Sequence, residues 1–357
     1  MHESHLWPGA ALALGAAVLF GIATPVSKLL IGQVDPQMLA GLLYLGAGIG
    51  LAGVHLGRGA LGVPAPEASL KPADLPWLAA VVLFGGVLGP LFLMLGVART
   101  DAASASLLLN LEGLATMAIA WIVFRENVDR RLLLGALSIL AGAAALSWRG
   151  GGFSPHDLSA GGGSLFIAAA CLAWGIDNNL TRKLSAADPV VTAMTKGLVA
   201  GAVNTAIALG KGAPLPEAKT VLAAALLGFL AIGVSLVLFI RALRHLGTAR
   251  TGAYFSLAPF IGAVVAILAL HEPMTETLLL AGLLMGFGLW LHLAERHEHG
   301  HLHESLEHDH SHTHDDGHHD HGHDDTVTEP HTHHHRHRRT WHSHIHYPDL
   351  HHRHSHD

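Results

Sequence analysis

From Trp7 to Ala294 the chain alternates long apolar runs with short turns that are polar or contain Gly and Pro. The runs cover roughly 7–30, 36–56, 75–97, 102–124, 131–149, 161–183, 188–210, 219–240, 250–270 and 276–294. A helix rising about 1.5 Å per residue needs about 20 residues to cross about 30 Å of hydrocarbon, so the pattern predicts ten transmembrane helices. Barrel strands would show short alternating segments, and these runs do not alternate. The connections are brief, as in Gln33-Val34-Asp35-Pro36 and His271-Glu272-Pro273-Met274. The longer ones, 57–74 and 149–160, are rich in Gly and Pro, as surface turns are.

Composition agrees. Of 357 residues half are hydrophobic and 13% charged, where a soluble chain carries about 25%. Many of the charges lie beyond Glu295, so the net charge of -6 describes a membrane core joined to a polar tail and implies no nucleic-acid partner. The single cysteine, Cys171, lies inside an apolar run, which excludes an intramolecular disulfide or a thiolate cluster. No Lys or Arg precedes the first run, so 7–30 reads as a retained helix rather than a cleaved signal.

Charge asymmetry sets an expected orientation. With the N-terminus inside, eleven Lys/Arg fall on the inner side and five on the outer. The positive-inside rule then places both termini in the cytoplasm of a cell in whose inner or plasma membrane the chain sits, and an even number of spans satisfies that.

The two halves echo each other. Phe20-Gly21-Ile22 and Ser27-Lys28 match Trp174-Gly175-Ile176 and Thr181-Arg182 at an offset of 154, and Asp35-Pro36 corresponds to Asp188-Pro189. Ala103 to Glu126 overlays Ala249 to Glu272 without a gap. Five spans is an odd number, so the second copy would enter the membrane inverted, an architecture of transporters. The expected fold class is therefore an all-α polytopic membrane protein: ten transmembrane helices as two inverted five-helix repeats, 1–150 and 158–295, followed by a disordered His-rich tail, 296–357.

The stretch Gly96-Val97-Ala98-Arg99-Thr100-Asp101-Ala102-Ala103-Ser104-Ala105-Ser106-Leu107, then apolar residues to Arg125-Glu126, recurs as Ala242-Leu243-Arg244-His245-Leu246-Gly247-Thr248-Ala249-Arg250, then Leu257-Ala258-Pro259 and on to His271-Glu272. In this the chain resembles the EamA-type drug/metabolite transporter superfamily over residues 7–294. The resemblance implies a secondary carrier or exporter with a central pathway between the repeats, and no enzymatic activity. It leaves the substrate open, whether amino acid, nucleotide-linked sugar, drug or other metabolite. Glu112-Gly113 stands where the second copy has Ala258-Pro259, so that carboxylate belongs to this chain and is not carried over from the family.

Polar residues deep in a span are costly and face a cavity or a partner. Candidates for a substrate pathway are Glu112 and Asn110 in the fourth span, Asp177 and Asn178 in the sixth, Lys196 in the seventh and Thr24 in the first. Asp177 and Lys196 lie at similar depth and either pair structurally or line the path. Glu112 shows no evident partner and would serve as a proton-coupling site or bind a cationic group. Thr24 and Lys28 match Asn178 and Arg182, four residues apart on one helix face; Lys28 and Arg182 are expected to snorkel to headgroups. Glu126 and Glu272 are expected to stabilise the following helix N-terminus. Pro25, Pro90 and Pro259 would each remove a helical hydrogen bond and free carbonyls. The pairs Gly46/Gly50, Gly85/Gly89 and Gly282/Gly286 read as packing faces. Gly210-Lys211 lacks the rest of a phosphate loop, so ATP does not drive transport through this chain.

Residues 297–357 hold 24 of the 31 histidines, mixed with acidic and small polar residues. Such a segment buries nothing and is expected to be disordered. The densest stretches, His308, His310, His312, His314, His318, His319, His321, His323, His333, His334 and His335, offer imidazole and carboxylate ligands suited to Zn, Ni, Co or Cu. No cofactor is required. Expected partners are the lipid bilayer, a small-molecule substrate and divalent metal ions at the tail; oligomeric state is not encoded in any feature of the sequence. The reading that follows is a secondary transporter of a small metabolite with a metal-binding tail. Its alternatives are a divalent transition-metal efflux carrier and a membrane-anchored metal sensor.

Overall fold

The computed structural model describes residues 6–62, 70, 72–124, 130–148, 162–181, 184 and 188–293, and in the tail 297–303, 307–312, 331–336 and 340–346. Among the described residues between 6 and 293 the elements are helices: α1 (Leu6–Gly21), α2 (Ala23–Ile31), α3 (Pro36–Ala60), α4 (Leu75–Val81), α5 (Gly89–Val97), α6 (Ala102–Leu108), α7 (Leu111–Phe124), α8 (Arg130–Ser147), α9 (Gly162–Thr181), α10 (Pro189–Gly210), α11 (Ala218–Gly228), α12 (Ser235–Phe255), α13 (Ala258–Ala269) and α14 (Glu276–Leu293). π-Helical segments, Val82–Leu88 and Phe229–Val234, bridge α4 to α5 and α11 to α12.

Among the described residues nine segments are long and apolar enough to span a membrane. The expected tenth is α9, a helix of 20 residues that ends on the polar block Asp177-Asn178-Asn179 and stands outside those nine. The helices turn large apolar side chains outward, among them Leu133, Leu134, Leu137 and Leu140 on α8 and Leu280, Leu283, Phe287 and Trp290 on α14. A surface of that extent is unfavourable in water and suits lipid.

Helical backbone runs through 241–249, where the sequence predicts a turn between two spans. The rings of Phe239 and Phe255 nevertheless lie 5.0 Å apart. A straight helix would separate them by about 24 Å, so the chain doubles back between them and the two spans stand.

The helix starts follow local chemistry. Asp35 caps α3, accepting from Gln37 N at 2.9 Å and Met38 N at 3.1 Å, with Pro36 in the first turn. Asp188 and Pro189 do the same for α10, the carboxylate accepting from Val190 N at 2.7 Å. These two helices form the most extensive pair in the bundle. A Cβ at Gly48 would meet the backbone of Gly197 and Leu198, so only glycine permits that approach. The pair α8–α14 forms a second seam, closed by Ser138 Oγ donating to Leu284 O at 2.7 Å.

In the tail the structure departs from the expected disorder. Strands β1 (His297–His303) and β4 (Thr340–His346) pair antiparallel, as do β2 (Glu307–His312) and β3 (His331–Arg336). His alternates with Glu, Gly and Leu in β1, with Asp and Ser in β2 and with Ser and Ile in β4, the period of two that a strand requires.

Candidate functional site

Pro90 lies in the first turn of α5 and has no N–H, so carbonyls in the turn before it lose their helical donors. Side chains from three other helices take them up. Tyr44 Oη on α3 and Trp174 Nε1 on α9 both donate to Gly85 O, at 2.9 and 3.0 Å. Asn204 Nδ2 on α10, a fully buried residue, lies 3.4 Å from Gly86 O and 3.3 Å from Val87 O. The freed carbonyls expected from the proline are present, and they join spans rather than line a cavity.

Beside them, Lys196 Nζ on α10 forms an ion pair with Asp177 on α9, whose other oxygen accepts from Thr181 Oγ1 at 3.4 Å. Both residues pack against Gly85, where a Cβ would collide with the carboxylate and the ammonium alike. The pairing foreseen for Asp177 and Lys196 thus exists.

A second polar group faces outward from the next stripe of α9. Asn178 Nδ2 donates to Glu112 Oε1 at 3.0 Å and to Thr116 Oγ1 at 3.1 Å, while Thr116 Oγ1 donates to Glu112 O at 2.9 Å. The sequence left Glu112 without a partner; the partner is Asn178, sixty-six positions along the chain. Asn178 is exposed. It lies roughly 120° or more round the helix from Leu165 and Leu172, the exposed leucines of α9. Glu112, Thr116 and Asn178 form a polar ledge between α7 and α9.

Two expected pathway residues sit elsewhere. Asn110 interrupts the fourth span between α6 and α7 and donates to Leu107 O at 2.8 Å, filling the break in the helix. Thr24 is buried, 2% exposed, on the face of α2 that packs into the bundle.

Lys28 does not snorkel. Its ammonium donates to Val97 O at 2.6 Å and Thr100 O at 2.7 Å, neutralising the C-terminal carbonyls of α5. Nor does Glu272 serve the helix that follows it. Its two oxygens accept from Ala102 N and Ala103 N, each at 2.8 Å, capping α6 from 170 positions away. Sequence distance hid both contacts; the only signal was that the residues matching them, Arg182 and Glu126, are also charged. Those two lie outside the described residues, as do His314, His318, His319, His321 and His323 of the tail. His308, His310, His312, His333, His334 and His335 fall in β2 and β3. Among the described residues no three His, Cys, Asp or Glu converge as a metal site.

The profile of the EamA-like transporter family matches the chain over residues 7–148 and 161–294. A protein of Methanothermobacter thermautotrophicus described as an uncharacterized transporter is 28% identical over 295 residues, 80% of this chain and 86% of its own length. The uncharacterized transporter YyaM of Bacillus subtilis is 21% identical over 266 residues, covering 71% of this chain and 84% of its own. One solved crystal structure, 20% identical, superposes with a TM-score of 0.58 over 82% of this chain and 96% of that one, a likeness of fold.

Proposed function

Since the chain belongs to the EamA-like transporter family, we propose that it is a secondary transporter of a small metabolite whose path runs along the Glu112–Asn178 ledge. Membership makes it a multi-pass membrane transporter; substrate and route are the finer reading. The observation that carries the route is the bond between the exposed Asn178 and the Glu112 carboxylate, a polar pair within otherwise apolar helices. A carboxylate there, with an amide and a hydroxyl beside it, suits a substrate that carries an ammonium or other hydrogen-bond donors. Ten spans in two inverted repeats, both termini cytoplasmic, would put the ledge between the middle of the fourth span and the inner part of the sixth.

The test is uptake into vesicles over a panel of small metabolites. Glu112→Gln keeps shape and removes charge, so insertion into the membrane should stay near normal. Transport of whatever substrate the parent carries should fall about tenfold, as expected on losing one charge-assisted contact. Unchanged transport in the variant would remove Glu112 from the path.

We infer further that the tail binds divalent Zn, Ni or Co, as a buffer or capture segment for the carrier. Register supports this: His297, His299 and His301 stand opposite His346, His344 and His342, and His308, His310 and His312 opposite His335, His333 and His331. The full-length protein in detergent should bind several Zn ions at about pH 7.5 by calorimetry and release them near pH 5, because protons and metal compete for the same nitrogens. A chain ending at Glu295 should bind none; equal binding by both forms would place the metal in the helices and favour metal as cargo.

A further inference from the structure

Among the described residues the two ends of the bundle differ around α6 and the stretch that the sequence matches to it. At the end that carries Lys28, every residue of α6 from Ala102 to Leu108 is buried. In the stretch the sequence matches to it in the second half, Thr251 is also buried, while Arg250 is exposed and Gly252, Ala253 and Tyr254 are half-buried. Thr24 is buried where its counterpart Asn178 is exposed. Ser27 Oγ and Thr100 Oγ1 at this end, and Thr251 Oγ1 in the matching stretch of the other, are buried with no hydrogen-bond partner. Such orphans are costly, and hydration in a second conformation would satisfy them.

What holds this end is a clamp on the turn between α5 and α6. Lys28 grips its carbonyl side, through Val97 O and Thr100 O, and Glu272 grips its amide side, through Ala102 N and Ala103 N. Each charge meets the helix end of opposite partial charge. Glu272 belongs to the connection between the last two spans, so its contact joins the first half of the chain to the second. The residue before it, His271, has a φ of 55°, the left-handed region that is costly for a side-chain-bearing residue. Strain of that kind persists where surrounding contacts over-determine it, and the contact here is the double cap.

We propose that Lys28 and Glu272 are the lock that closes this end of the substrate path, and that transport requires its release. The proposal rests on the pathway reading above, and labelling separates the two. With Cys171→Ala as background the chain has no thiol, and a single cysteine is placed at Thr24 or Asn178 of the full chain in detergent. A polar maleimide should modify N178C rapidly and T24C slowly. Adding Glu272→Ala should raise the T24C rate by about tenfold, the population shift expected from losing charge-assisted bonds, and lower the N178C rate. His271→Gly, which adopts the same φ without strain, favours the clamped state and should not raise the T24C rate. Native Cys171, 1% exposed, reports unfolding: a Glu272→Ala chain in which it reacts is misfolded, and Lys28→Met then decides by the same T24C criterion. An unchanged T24C rate in a clamp variant whose Cys171 stays protected overturns the lock. A slow N178C rate in the parent overturns the pathway instead.

Discussion

Lys196→Ala or Asp177→Asn alone should lower the thermal midpoint of the detergent-solubilised protein by roughly 5 °C or more, and the double variant should recover most of the loss. Each single change leaves one charge where Lys196 and Asp177 are 20% and 7% exposed, without its counter-ion. Breaking such a pair costs about 3 kcal/mol, whereas removing both charges is close to neutral. Size-exclusion profiles after heating read the result directly. The cycle also sorts structure from transport. If the double variant is stable and still transports, the pair only fastens α9 to α10. If it is stable and inactive, the pair belongs to the path beside Glu112. Additive losses in the double variant would mean that the two charges act separately.

The elements were legible because lipid imposes a simple rule: backbone polar groups must be satisfied within the segment, so spans announce themselves as long apolar runs. The Asp-Pro caps of α3 and α10 were legible too, since a cap depends on neighbours two and three residues away. The breaks within spans were less so. Pro25, Pro90 and Pro259 marked three of them, while the break at Leu109–Asn110 has no proline and is filled by the Asn110 amide. The site was half legible. Asp177 and Lys196 could be matched by depth, but Glu112–Asn178 and Glu272–α6 depend on which helices adjoin, and a run of leucines does not say that. Lys28 shows the same gap from the other side. Near a span end the default for a lysine is the headgroup, and only the position of the α5 C-terminus turns it inward.

Gly85→Ala tests whether the packing around the π-helical turn sets the geometry of the ion pair. A Cβ at this position would overlap both the Asp177 carboxylate and the Lys196 ammonium, two groups that cannot part without leaving charges unmet. The same residue offers its carbonyl to Tyr44 and Trp174, so a shift of its backbone would loosen α3 and α9 together. Overpacking of a tight site costs about 1–3 kcal/mol, and displacement of the pair adds to it. The variant should therefore be nearly as unstable as Lys196→Ala. The decisive comparison is the same change made in the Asp177→Asn, Lys196→Ala background. Asparagine at 177 keeps the atoms nearest the new methyl, but with alanine at 196 no ammonium holds them there and they can swing into the space the lysine leaves, so Gly85→Ala should cost less there than in the parent, a coupling expected only between groups in contact. An equal cost in both backgrounds would mean that glycine is held by the backbone of the π-helical turn, and that the ion pair merely lies beside it.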